Sequence, residues 1–343
     1  MNEANDWPGV SYVMPALNEE PYLEAAVLAV LGQDYPGDQE IVLAVAPSTD
    51  GTEELAQRLV TEHPQVRLVR NPGRDIPKGL NLAIRSSSNP IIVRVDAHSE
   101  LPLDYTRLGV ATLQRTGAAN VGGLMRARGR SEFQHAVAAA YNSPIALGGG
   151  RYHSGTTEGP CESAYLGIFR REVLVEVGMF NENVRRGEDW ELNYRIRQAG
   201  YLVWFNPELK VTYWPRQSAR QLARQFYSTG AWRGSLVRTV GRRTPLRFFA
   251  PPALVASAVL SVGHALAAPF LRGPARWTGL VWLGPAAYLA FLVWAGRSKS
   301  ARGTERQLFL QAIAVMHTAW GVGFWSGLVR GTENTVDTSR LRD

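Results

Sequence analysis

The sequence predicts an α/β domain with a mainly parallel sheet flanked by helices, followed by a C-terminal α-helical membrane region. Three observations carry that reading. Short apolar runs alternate with helical patterns early in the chain, no acidic residue lies between Glu208 and Glu305, and three long apolar segments crowd the C-terminal part. Alternating strand and helix signals mark strand–helix–strand units and hence a parallel sheet. At 343 residues the chain has room for one substantial domain and an appendage.

Strands are expected at residues 10–15, 40–45, 66–69 and 91–95, with helices at 20–31, 53–62 and 78–86 between them. Turn chemistry follows the strands, as in Pro47-Ser48-Thr49-Asp50-Gly51-Thr52 and Asn71-Pro72-Gly73-Arg74. Residues 141–159, centred on Gly148-Gly149-Gly150, read as a mobile loop. Helices at 170–177 and 189–198 and short strands at 201–205 and 211–214 complete this part. A helix at 218–227 sets Arg220, Gln221 and Arg224 apart from Leu222 and Phe226, which suits a membrane interface. The resulting boundaries are 1–216 for the α/β domain, 217–247 for a basic interfacial helix and linker, 248–330 for the membrane region and 331–343 for a polar tail.

The apolar segments are 249–271, 277–295 and 308–329. About 20 helical residues cover the roughly 30 Å hydrocarbon layer, so each is expected to span it. Arg238, Arg242, Arg243 and Arg247 precede the first segment, and Arg297, Lys299, Arg302 and Arg306 lie between the second and third. Both clusters prefer the cytoplasm, which fits an odd number of crossings; Arg272 and Arg276 in the short outer loop oppose it. The polar first nine residues lack the apolar core of a secretory signal. The expected location is therefore the cytoplasmic membrane, multi-pass, with the N-terminal domain on the cytoplasmic side.

The net charge is +7, and its surplus arginines suit anionic lipids or phosphates. They abut an apolar span rather than a recognition helix or stacking platform, which excludes a nucleic-acid partner. Cys161 is the only cysteine, so an intrachain disulfide and a cysteine zinc cluster are both excluded.

Asp96-Ala97-His98 directly follows the fourth strand, and ligands of open α/β sheets bind at the carboxyl ends of strands. Two residues apart, both side chains face one ligand. A divalent ion there would bridge a diphosphate, with the imidazole tilting the choice from magnesium toward manganese. In Gly187-Glu188-Asp189-Trp190-Glu191, Leu192 and Ile196 mark the buried side of a helix. Asp189 then lies in its first turn, where the helix dipole favours the ionised carboxylate that can take a proton. Trp190 beside it is a candidate to line an acceptor site, as is His153 in the glycine-rich loop. His63, His135, His264 and His317 show no ligand spacing and read as surface or packing residues.

These features together resemble family 2 of the inverting glycosyltransferases, which have the GT-A fold, over roughly residues 11–214. The matches are Val13-Met14-Pro15-Ala16-Leu17-Asn18-Glu19-Glu20, Ser48-Thr49-Asp50-Gly51-Thr52, Asp96-Ala97-His98, Gly167-Ile168-Phe169-Arg170-Arg171 and Gly187-Glu188-Asp189. Downstream, Gln225-Phe226-Tyr227, Gly230, Arg233 and His317-Thr318-Ala319-Trp320-Gly321 look like the branch containing bacterial succinoglycan-type exopolysaccharide glucosyltransferases. The resemblance implies that Pro15, Ala16, Asn18 and Glu19 shape a nucleotide-sugar pocket flanked by Asp50 and Lys78. It implies that Asp96 and His98 handle metal and diphosphate, that Asp189 is the general base with Glu188 beside it as the catalytic pair, and that Arg233 contacts a diphosphate or an acceptor phosphate. Tyr227 joins Trp190 and His153 on the acceptor side. The family usually carries an acidic residue just before Ser-Thr-Asp-Gly-Thr, where Val45, Ala46 and Pro47 stand here. Without that acceptor for uracil, UDP is only slightly favoured over GDP.

The function implied is metal-dependent (Mn or Mg) transfer from a nucleotide-sugar donor to a hydroxyl of a lipid-linked or cell-surface glycan, with membrane lipids as further partners. The alternatives are a polyprenyl-phosphate sugar synthase, whose acceptor needs no deprotonation, and a non-catalytic nucleotide-binding membrane scaffold. A processive synthase would carry Gln-x-x-Arg-Trp, which is absent.

Overall fold

The computed structural model describes residues 7–148, 150–184, 186–240, 245–270 and 278–331. Gly149, Arg242, Arg243, Arg272, Arg276 and the tail from residue 332 lie outside the described residues.

The described chain divides into two compact units, residues 1–126 with 150–213, and residues 127–149 with 214–343. The first is the α/β domain. Its opening half follows the predicted order closely: β1 (Val10–Ala16), α1 (Glu20–Leu31), β2 (Gln39–Val45), α2 (Thr52–Glu62), β3 (Val66–Arg70), α3 (Ile76–Ser86) and β4 (Ile91–Arg94). Then come α4 (Tyr105–Thr116) and β5 (Asn120–Ala127). Because β1 pairs parallel with β2 and β4, and β2 with β3, this half of the sheet has both faces covered. Alternate residues accordingly enter two cores: Tyr12, Met14, Ile41, Leu43 and Val93 on one side, Val13, Val42, Ala44 and Ile92 on the other. That two-sided burial is why these strands read as continuous apolar runs.

The eight strands lie in the order β3-β2-β1-β4-β7-β5-β8-β6, with β6 (Gly159–Pro160), β7 (Tyr165–Arg170) and β8 (Val203–Tyr213). β7 runs antiparallel to both β4 and β5. Two expectations are corrected here. The stretch predicted as two short strands is the single strand β8, because the Asn206 side chain satisfies the Glu208 amide at 2.9 Å and the chain continues extended past Pro207. The glycine-rich loop contains a short helix, α6 (Arg151–Ser154); α5 (Glu132–Tyr141), which precedes it in the chain, belongs to the second unit. Helices α7 (Arg171–Glu176) and α8 (Glu188–Gln198) lie where expected, and Leu192 and Ile196 are fully buried.

In the second unit the expected short interfacial helix is the first part of a longer one, α9 (Ala219–Val240), with Leu222 and Phe226 buried. It packs against α12 (Arg306–Arg330) through two facing Gly-x-x-x-Gly stripes. A Cβ on Gly230 would lie 2.0 Å from Trp320 O, and one on Gly327 would lie 1.7 Å from Ala231 O. Only glycine permits that backbone approach. Two helical stretches are long and apolar enough to cross a membrane, Leu246–Phe270 and Arg306–Arg330, each of 25 residues. The first includes α10 (Ala250–Ala267), which exposes Val259, Leu260, Val262 and Leu266. The middle expected segment forms a shorter apolar helix, Gly279–Ala295, whose last part is α11 (Leu283–Ala295).

Replacing Gly230 with leucine should destabilise the α9–α12 contact by about 1–3 kcal/mol by overpacking. Thermal melting of the detergent-solubilised chain checks it, and an unchanged melting temperature would contradict the close approach.

Candidate active site

β4 contains a charge where an apolar run predicts none. Arg94 has a side chain only 3 % exposed, with Val93 and Val95 on either side in the strand core. A buried guanidinium must be paired, and three carboxylates meet it. Arg94 Nη2 donates to Asp96 Oδ1 at 3.1 Å and to Glu188 Oε1 at 3.1 Å, Nε donates to Asp96 Oδ1 at 3.3 Å, and Nη1 donates to Asp189 Oδ1. Burial opposes the charge, but Asp189, Asp96 and Glu188 outweigh it and hold the guanidinium ionised well beyond its ordinary range. Sequence reading had picked out all three carboxylates and missed the cation that gathers them. The available signal was the arginine inside Ile91-Ile92-Val93-Arg94-Val95.

Helix α8 delivers Glu188 and Asp189 to this point. Gly187 caps it at φ 73°, a left-handed conformation that suits glycine, and Glu188, Asp189 and Glu191 occupy its first turn. The helix is fixed by a buried amide chain: Asn120 Nδ2 donates to Asn193 Oδ1 at 2.6 Å, and Asn193 Nδ2 donates to Ser163 Oγ at 3.1 Å. Glu191 is held apart by a two-point ion pair with Arg195, both contacts at 2.7 Å. Glu188 is buried while the Asp189 side chain remains 32 % exposed, so only the latter presents substantial surface to a ligand.

The loops after β1 and β2 are laced together. Asn18, at φ 55°, accepts from the Thr49 amide at 2.8 Å, and the Glu19 amide donates to Thr52 Oγ1 at 2.8 Å. Asp50 accepts from the Thr52 amide at 3.1 Å, from the Thr52 hydroxyl, and from the Glu20 amide at 3.3 Å. Burial would raise its carboxyl, but these bonds outweigh burial and hold it below the ordinary range. Asn18 and Asp50 thus brace the loops. Pro15 and Ala16 end β1, and Gly79 lets α3 approach so closely that a Cβ there would sit 3.4 Å from Pro15 Cβ; the next-door Lys78 lies over Gly73.

His98 Nδ1 lies 2.9 Å from Glu19 Oε1, which joins the end of β4 to the end of β1. Among the described residues, no group of three or more His, Cys, Asp or Glu side chains could hold a metal. Asp96 is engaged by Arg94 and His98 by Glu19, and an ion held by these two would need its remaining ligands from a phosphate substrate or water.

The acceptor-side candidates are dispersed. Trp190 stacks on Tyr194 with ring centroids 5.6 Å apart. Burial pushes the His153 imidazole down to about 3, so it is neutral at physiological pH. Tyr227 and Arg233 belong to the second unit: the Tyr227 hydroxyl donates to Ser326 Oγ at 2.9 Å, and the buried Arg233 guanidinium lies 3.9 Å from the Phe248 ring centroid and 4.5 Å from that of Trp232.

Residues 11–178 match the family described as Glycosyl transferase family 2. The chain is also 32 % identical over 321 residues to the succinoglycan biosynthesis protein ExoA of Rhizobium meliloti (strain 1021), covering 92 % of this chain and 94 % of that protein. The chain belongs to glycosyl transferase family 2. A second relative in sequence is the dolichyl N-acetyl-α-D-glucosaminyl phosphate 3-β-D-2,3-diacetamido-2,3-dideoxy-β-D-glucuronosyltransferase of Methanococcus voltae, 23 % identical over 67 % of this chain and 74 % of that one. Among solved structures, the mannosyltransferase PcManGT from Pyrobaculum calidifontis, in complex with GDP-Man and Mn2+, superposes with a TM-score of 0.57 at 24 % identity, covering 91 % of this chain and 88 % of that chain. The fold is GT-A-like, and the chain is a family 2 glycosyltransferase.

Replacing Arg94 with methionine would leave three carboxylates crowded without their cation. Breaking a buried ion pair in this way costs about 3–5 kcal/mol, to be read as a lowered urea midpoint; an unchanged midpoint would show that Arg94 is not the hub of the cluster.

Proposed function

We propose that the chain is an inverting, metal-dependent glycosyltransferase that moves a hexosyl group from a nucleotide-diphosphate donor to a hydroxyl of a lipid-linked or cell-surface glycan. The observation that carries this reading is the single guanidinium of Arg94, which holds Asp96 at the end of β4 beside Asp189 at the start of α8. Asp96 with His98 would hold Mn or Mg against the donor diphosphate, where the ion supplies charge neutralisation for the leaving group. Manganese is supported by the His98 imidazole and by the ion in the solved mannosyltransferase. UDP remains slightly favoured over GDP.

Asp189 accepts the proton of the acceptor hydroxyl as its oxygen bonds to the anomeric carbon. The bond from that carbon to the diphosphate oxygen breaks, and its electron pair leaves with the diphosphate. Arg94 holds the carboxylate by Oδ1, fixing its direction, while Glu188 stays buried and shares the guanidinium. A hydroxyl acceptor is supported by the retained Glu188–Asp189 pair, and a lipid-linked one by the name of the Methanococcus relative.

The membrane reading rests on the exposed apolar faces of Leu246–Phe270 and Gly279–Ala295. Arg297, Lys299 and Arg302 follow the shorter helix, and its crossing would return them to the side that holds Arg238 and Arg247, as the positive-inside rule requires. The active site then faces the cytoplasm.

Purified full-length protein offered a panel of UDP- and GDP-sugars, with and without Mn2+, should transfer sugar in a metal-dependent way. Asp189→Asn should lose at least about 100-fold in turnover while still binding donor. Near-normal turnover in that variant would remove the base and point instead to an acceptor that is already an anionic phosphate.

A further inference from the structure

Glu19 stands at the N-cap of α1, a position at which serine, threonine, aspartate and asparagine are preferred because their short side chains reach the first amides of the helix. The Glu19 side chain makes no such cap. Its carboxylate turns instead to His98, with Oε1 2.9 Å from Nδ1. The loops hold it in that position. The Glu19 carbonyl accepts from the amides of Tyr22 and Leu23, both at 2.9 Å, and the Glu19 amide donates to Thr52 Oγ1 at 2.8 Å. Thr52 is fully buried, and its hydroxyl donates to Asp50 Oδ1. A relay of hydrogen bonds thus runs Asp50–Thr52–Glu19–His98. It ties together the loops that follow β2, β1 and β4, which are neighbours in the sheet.

The Glu19 side chain is 19 % exposed and that of His98 is 52 % exposed. A pair this open adds little to stability, so its effect is on geometry. A neutral imidazole carries one proton, and a donor at Nδ1 places the lone pair at Nε2. Histidines that bind an ion through one nitrogen donate from the other to a carboxylate or carbonyl, which sets the tautomer, orients the ring and raises the basicity of the ligating nitrogen.

We propose that Glu19 is the positioning residue of the metal site: it accepts the Nδ1 proton of His98 and so leaves Nε2 to the divalent ion, while Thr52 and Asp50 hold Glu19 in place. The inference rests on the metal role given to Asp96 and His98 in the function proposed above. Glu19 then acts on the ion through His98 rather than on the nucleotide, and Asp50 supports it from the loop after β2.

The test uses the full-length chain in detergent and reads Mn2+ affinity from the electron paramagnetic resonance signal of the free ion, in saturating UDP or GDP. Glu19→Ala should bind Mn2+ about tenfold more weakly than wild type. Glu19→Gln should keep most of the affinity, because its amide oxygen still accepts from Nδ1. His98→Ala should lose at least as much as Glu19→Ala, and adding Glu19→Ala to it should cost nothing more. Wild-type affinity in Glu19→Ala, a Glu19→Gln variant as weak as Glu19→Ala, or an undiminished loss from Glu19→Ala on the His98→Ala background would overturn the inference while leaving the proposed function standing. His98→Ala with wild-type affinity would overturn the inference and remove His98 from the proposed metal site. A wild-type chain that binds no Mn2+ beside either nucleotide would overturn both the inference and the metal-dependent function.

Discussion

The buried charge of Arg94 is the constraint on which the rest of the site depends. A guanidinium on a strand covered on both faces has no water to solvate it, so the fold must bring carboxylates to it. Asp96 is supplied locally, two residues further along the chain. Glu188 and Asp189 come from a helix almost a hundred residues downstream, and the pairing therefore specifies where the N-terminus of α8 must lie. Such a pair is weak evidence for stability in itself, because desolvation offsets much of the attraction. Its contribution is geometric. The Asn120–Asn193–Ser163 chain, and Arg195 donating to Met179 O at 2.6 Å and to Val177 O, hold the same helix at further points.

Among the described ion pairs, Arg94 gathers Asp96, Glu188 and Asp189 at one point near the carboxyl end of β4. The exposed His98 extends the cluster toward Glu19 and the β1 loop. Asp189 is the more exposed member of the Glu188–Asp189 pair, whereas Glu188 is sealed behind Arg94.

Much of this was legible in the sequence, for identifiable reasons. The first four strands and three helices announce themselves through period and turn chemistry, and Leu192 and Ile196 correctly marked the buried face of α8. What escaped depended on contacts between distant residues. Arg94 was passed over as part of an apolar strand because its partners lie far away in sequence. Asn206-Pro207 looked like a turn, yet the Asn206 side chain keeps β8 extended. The helix starting at Ala219 extends past the expected end at residue 227, where Gly230 and Gly234 let the backbone of Trp320 and Phe324 in α12 come close. Residues 127–149 join the second unit through contacts such as His317 Nε2 with Ala146 O at 2.8 Å, which no local pattern encodes. Asp50 accepts from Thr52 in its own loop and from the Glu20 amide at the start of α1, a long-range contact that no local pattern encodes.

In the function proposed above, a base at Asp189 and a donor diphosphate at Asp96 give a single displacement at the anomeric carbon, with the acceptor attacking from the face opposite the leaving diphosphate. The anomeric configuration of the first-formed product, read from its proton NMR coupling constant with an α-linked nucleotide-sugar as donor, tests this most directly. The account predicts a β-linked product. An α-linked product, retaining the donor's configuration, would contradict it.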